Sequence, residues 1–246
     1  MGDVARGGVE ILYEDNHILC AVKPRGVLSQ SDGSGAPDML TLLKAYIGEK
    51  YEKKGEVYLG LVHRLDRPVG GVMVFAKTSK AAGRLSAQIR ERSVQKIYYA
   101  VIRGAPQASS ARLEHRIKKD RTVNSVRVYE AGGADMRDKE YAALDYRVLA
   151  LNADGASALV GVELLTGRPH QIRAQFAHIG HPVVGDRKYG SRALRERAAD
   201  SPALWAASLK FAHPVRQTPV IVAARPPDEY PWNEFEGKTY TEFERI

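Results

Sequence analysis

Apolar and polar positions alternate along this chain in short runs, broken by a few stripes with helical spacing. Glu10–Tyr13 and Ile18–Val22 predict two strands parted by the turn-forming Glu14-Asp15-Asn16. Lys23-Pro24-Arg25-Gly26 stops the second strand and opens a loop through Ser29, Ser31, Gly33 and Gly35. Pro37 suits the first position of a helix whose apolar residues Leu40, Leu43 and Ile47 recur at i, i+3 and i+7. Val72–Ala76 is apolar throughout, as a buried strand requires, and Thr78 or Ser79 then caps a helix striped by Ala82, Leu85 and Ile89. Val, Ile and Tyr crowd Lys96–Arg103, Ser125–Tyr129, Glu140–Leu149 and Ala158–Leu164, and these predict strands, with Leu113–Lys119 a further one turning at Asp120-Arg121. His170–Ile179 predicts a helix through Ile172, Phe176 and Ile179, ended by Gly180; Leu204–Phe211 and Val220–Ala224 close a strand-rich C-terminal half.

Strand follows strand with few helices between, which predicts an α+β fold with a mainly antiparallel sheet, not a doubly wound parallel one. No composition break marks a linker, so residues 1–246 are expected to form a single domain, with Gly104–Arg137 a hairpin arm projecting from it.

Composition narrows the function. At 246 residues, with 44% apolar and 27% charged residues, the chain can bury a substantial core. One cysteine, Cys20, excludes an internal disulfide framework and favours a reducing compartment. No run approaches the length of a membrane span and no secretory apolar region opens the chain, so a cytoplasmic location is expected. The net charge is +8, and its placement says more than its size. Between Arg84 and Arg127 stand eleven cations against three acids, so this stretch holds the whole excess. Such a concentration is the footprint of a polyanion partner, RNA or DNA first, or else a solvated face.

Three constellations carry candidate chemistry. In His63-Arg64-Leu65-Asp66-Arg67-Pro68, followed by Gly70-Gly71, two guanidinium groups flank one carboxylate. That suits either a charged nucleophile or base at Asp66, or a structural ion pair that fixes a loop. In Thr166-Gly167-Arg168-Pro169-His170-Gln171-Ile172-Arg173, polar side chains and backbone N–H groups meet at a helix start, a setting for phosphate or simply a capped helix. Arg173, one turn further on, shares a face with His170 and Ala177 and can reach a buried carboxylate. In Lys96-Ile97-Tyr98-Tyr99 a strand turns the two rings to opposite sides, one toward the core and one toward a groove where it can stack a base. His170, His178 and His181 with Asp186 match no standard metal spacing, and Ser29-Gln30-Ser31 lacks a nucleophile elbow.

Taken together, these segments resemble the RluA-type family of pseudouridine synthases. The resemblance runs from Ile11-Leu12-Tyr13-Glu14-Asp15 through Val22-Lys23-Pro24-Arg25-Gly26 to Phe211-Ala212-His213-Pro214. It is anchored by His63-Arg64-Leu65-Asp66-Arg67, Lys96-Ile97-Tyr98 and Gly167–Arg173 with His181-Pro182-Val183-Val184-Gly185-Asp186. It implies an RNA isomerase that needs no cofactor or metal, built on a mixed sheet flanked by helices with a central cleft. Asp66 matches the family's catalytic aspartate, Tyr98 the tyrosine that packs on the target base, and Arg173 the arginine that pairs with the aspartate. Arg64 matches an arginine that fills the gap left by the extruded nucleotide. Arg67, Arg168, His170, Gln171, Lys118 and Lys119 are the further expected RNA contacts.

The implied substrate is rRNA or tRNA, and a monomer with no obligate protein partner is expected. Val69-Gly70-Gly71 departs from the Thr-Ser-Gly of many relatives, which removes a hydroxyl contact at Val69. The first strand begins near Glu10, so the catalytic domain is expected to stand without the S4-like domain many members carry. Two rival readings remain at this point: a catalytically silent RNA-binding domain, and a metal-dependent hydrolase that uses the histidines.

Overall fold

The computed structural model describes residues 4–5, 8–120, 122–132, 137–190 and 201–235. The chain divides into two compact units, Met1–Gln95 with Ala206–Arg225, and Lys96–Trp205 with Pro226–Ile246. Nine strand ladders within the units are antiparallel, in keeping with the expected α+β fold with a mainly antiparallel sheet.

The first unit opens with β1 (Val4–Ala5), β2 (Val9–Glu14) and β3 (Ile18–Lys23). The turn between β2 and β3 is closed by Asp15, whose carboxylate accepts from the backbone N–H groups of His17 and Ile18 at 2.8 and 2.9 Å. Helix α1 (Met39–Lys50) starts two residues later than Pro37 as its first position would place it, because the Asp38 side chain caps it by accepting from Thr41 N at 3.1 Å. Its buried stripe is Met39, Leu43, Tyr46 and Ile47, with Leu40 only half-buried. β4 (Gly60–Leu61) and β5 (Gly70–Ala76) follow, and every residue of β5 is buried. Thr78 caps α2 (Ser79–Arg90), whose Ala81 and Leu85 enter a core with Ile18, Cys20, Val72 and Val74.

The chain then builds the second unit from β6 (Gln95–Arg103), β7 (Ser110–Asp120), β8 (Ser125–Glu130), β9 (Glu140–Leu151) and β10 (Ser157–Leu164). These lie in the order β6-β10-β9-β7-β8. Gly104–Arg137 is therefore not a projecting arm. β7 pairs with β9 from Ser110↔Arg147 to Ile117↔Glu140 while also pairing with β8. Ile117 and Val126 pack with Ala142 and with Ala174 of α3 (Gln171–His178). The alternation of apolar residues in the hairpin is thus spent on this unit's core, leaving a short tip beyond β9; Arg121 of that tip lies outside the described residues.

The chain finally returns to the first unit with β11 (Leu204–Ala212) and β12 (Pro219–Ala223). β11 lies beside β5, and the approach is close: a Cβ on Gly71 would fall 2.2 Å from the carbonyl oxygen of Ala206. Gly71 also has φ +124°, so glycine is required there on both counts. No helix among the described residues is long and apolar enough to cross a membrane.

Candidate active site

Asp66 sits half-buried in a tight turn of the first unit, its carbonyl oxygen accepting from Val69 N at 2.9 Å. The residues on both sides of it are held from a loop some forty positions earlier. Ser29, buried, donates its hydroxyl to Leu65 O at 2.9 Å and accepts from Leu65 N at 3.1 Å. Arg67 and Gly26 exchange two bonds: Gly26 N donates to Arg67 O at 2.9 Å, and Arg67 Nε donates to Gly26 O at 3.0 Å. Beneath them Lys23, fully buried, donates Nζ to Pro24 O, Arg67 O and Val69 O at 3.1, 3.1 and 2.8 Å. Burial pushes the Lys23 ammonium down to about 7, opposed by the Asp66 charge and assisted by that of Arg67. His63 accepts from Val74 N at 3.0 Å and so locks the loop to β5, while Arg64 is exposed. The carboxylate is therefore carried on a rigid turn, the condition for a reacting group of fixed geometry.

Tyr98 and Arg173 belong to the second unit. Tyr98 lies on β6 opposite Val162, with Tyr99 opposite Gly161. Both residues are largely out of solvent, at 8% and 3% exposure. Arg173 finds the buried carboxylate its helical position calls for, and it is Asp186. Nε and Nη2 donate to Oδ2 and Oδ1 at 2.6 and 2.9 Å, with the guanidinium stacked 5.3 Å above the Tyr189 ring. Asp186 Oδ1 also accepts from Lys188 N at 2.9 Å, and its loop is pinned to β6 by Val184 N donating to Val101 O at 2.8 Å.

The remaining expected contacts are spread over the second unit. Gln171 is buried and uses its amide within the fold, accepting from Thr166 Oγ1 and Arg168 N at 2.7 and 3.0 Å and donating to Ala143 O at 3.0 Å. Arg168 donates to Tyr141 O at 3.0 Å and pairs with Glu140 at 2.7 Å. His170 occupies the N-cap of α3 with φ 52° and no side-chain cap bond; its Nδ1 meets Tyr189 Oη at 2.7 Å. Lys118 and Lys119 are exposed on β7, Lys118 lying 3.3 Å from Asp138. Some of the basic stretch is already neutralised: Arg112 forks onto Asp145 at 2.7 and 2.8 Å.

His170, His178, His181 and Asp186 do not gather round a point, since His181 binds Arg103 O, Asp186 holds Arg173 and His178 meets Glu130. Sequence reasoning missed the structural parts of Lys23, Ser29 and Asp186. The only local signal was a lysine directly before Pro24 at the end of an apolar strand.

A family model described as RNA pseudouridylate synthase matches residues 17–178. An uncharacterised RNA pseudouridine synthase of Bacillus subtilis is 32% identical over 219 residues, which is 89% of this chain and 68% of that protein. Ribosomal large subunit pseudouridine synthase D of Xylella fastidiosa is 36% identical, over 90% of this chain and 67% of that one. The chain thus spans about two thirds of these relatives. Among solved structures, human RNA pseudouridylate synthase domain containing 1 is similar with a TM-score of 0.72 and 26% identity, covering 93% of this chain and 88% of that chain.

Proposed function

Because the chain belongs to the RNA pseudouridylate synthase family, we propose that it isomerises specific uridines in rRNA or tRNA through Asp66. The observation that carries this reading is the turn around Asp66, clamped by Lys23, Ser29 and Gly26 so that a half-buried carboxylate keeps a fixed direction.

The reaction is redox-neutral. The bond between ribose C1′ and uracil N1 breaks, the base turns, C1′ joins C5, and C5 gives up its hydrogen as a proton while N1 gains one. Asp66 assists the first break, either by attacking C1′ or by taking a ribose proton, and neither route needs a cofactor. A base within a folded RNA must first leave its stack, at a cost of a few kcal/mol. Tyr98 offsets part of that cost by packing on the base, and Arg64, exposed beside Asp66, enters the space it leaves.

By the family resemblance Arg173 also belongs to the reaction, and Asp186 takes two of its five N–H donors. Lys118, Lys119, Arg168 and Arg67 meet phosphates. We place the enzyme in the cytoplasm as a monomer. The deciding experiment maps pseudouridine across cellular RNA in a deletion strain beside its parent. One or a few sites lost, and restored by the wild-type gene but not by Asp66→Asn, support the proposal; an unchanged map refutes it.

A further inference from the structure

Three donor side chains outside the proposed reaction meet at the edge of the second unit. His115 on β7 and Glu130 on β8 are direct register partners, so both leave the sheet on one face. His178, the last residue of α3, comes down on that face. Its Nε2 lies 2.8 Å from Glu130 Oε1, and its ring stands edge-on to His115 with centroids 4.9 Å apart. One ligand atom from each of the three lies within 4.8 Å of the others.

We propose that His115, Glu130 and His178 form a binding site for a divalent transition-metal ion of the zinc class. Two imidazoles and one carboxylate are a donor set such ions take, whereas magnesium and calcium prefer oxygen alone. Tetrahedral bonds of about 2.1 Å would set the donors about 3.4 Å apart. The contact between His178 and Glu130 then opens by a few tenths of an ångström and the wider pairs close. Glu130 and His178 can make these moves, since both lie at the surface.

His115 is the fixed member, 5% exposed and held at Nδ1 by Gln175 Nε2 at 2.9 Å. Gln175 is itself fully buried, and its Oε1 has no partner among the described residues. Turning that amide would let Oε1 accept from Nδ1–H, the tautomer that frees Nε2 for a metal, at the loss of the bonds from Nε2 to Leu113 O at 3.2 Å and Ala142 O at 3.4 Å. The bound ion would tie a central strand, an edge strand and the end of the helix that carries Arg173. Its role is structural.

The test uses zinc chloride titrated into the full chain by calorimetry, with cobalt(II) absorption as a direct report of nitrogen ligation. Wild type should bind one equivalent saturably and show the visible bands of tetrahedral cobalt. At a hundredfold excess over the dissociation constant, zinc should raise its melting temperature by about 5–10 °C. His178→Ala and Glu130→Gln, both exposed and so without cost to the core, should weaken binding at least about tenfold and abolish the thermal shift. Absence of saturable binding in wild type, or binding that survives unchanged in either variant, overturns the site.

Discussion

Arg173 and Asp186 form a two-bond ion pair in which both side chains are almost wholly out of solvent, at 6% and 0% exposure. Each keeps the other from being a buried, uncompensated charge. Asp186→Asn removes the charge that takes two of the guanidinium's bonds inside the fold, so it should cost about 3–5 kcal/mol. Arg173→Lys keeps the charge, loses the fork and should lower turnover more than RNA affinity. Urea unfolding measures the first effect and single-turnover rates at saturating enzyme the second. A near-neutral Asp186→Asn would show that the pair does not order the helix.

Lys23→Met strips a side-chain donor from both Arg67 O and Val69 O and should cost about 2–4 kcal/mol. It should also change the pH dependence. Below about pH 7 native and unfolded chains both carry the Lys23 proton. From there to the ordinary lysine value of 10.5 only the unfolded chain carries it, so native stability rises with pH across that window. The variant should lose this rise. Unfolding curves from about pH 6.5 to about pH 10.5, which span the window, compare the two proteins.

Asp66→Asn keeps the shape of the side chain and discards its charge. Release of tritium from C5-labelled uridine in RNA should fall to background, with melting temperature and RNA affinity close to wild type. Release at a normal rate would remove Asp66 from the chemistry.

Lys118 and Lys119 alternate across β7 and both reach solvent. Changing both to Glu should weaken all RNAs alike and flatten the dependence of log affinity on log salt by about 2. Arg64→Ala should leave that slope almost intact and slow turnover of bound RNA. A salt slope unchanged in the double variant would mark these lysines as ordinary solvated surface.

The strands were legible because their side chains alternate or are apolar throughout, as in β5 and β10, and the cap at Thr78 was legible because capping acts over three residues. What could not be read are bonds that cross long stretches of chain. Ser29 reaches Leu65 across 36 positions and Lys23 reaches Val69 across 46, and no local pattern encodes either. The hairpin of β7 and β8 was misjudged for the same reason. Its own pairing is local, whereas the pairing of β7 with β9 that absorbs it is not. The motif around Asp66 singled out a candidate; the lysine and serine that hold its turn required the folded chain.

The return of β11 to β5 has a consequence for how the protein is made. A ribosome releases β5 more than a hundred residues before Ala206, the backbone that Gly71 is shaped to meet. Throughout that interval most of one edge of an apolar strand waits for its neighbour, while Lys96–Trp205 of the second unit is being synthesised. Nascent chains stalled before Leu204 should therefore recruit holdase chaperones and resist release, and those stalled beyond Ala223 should not.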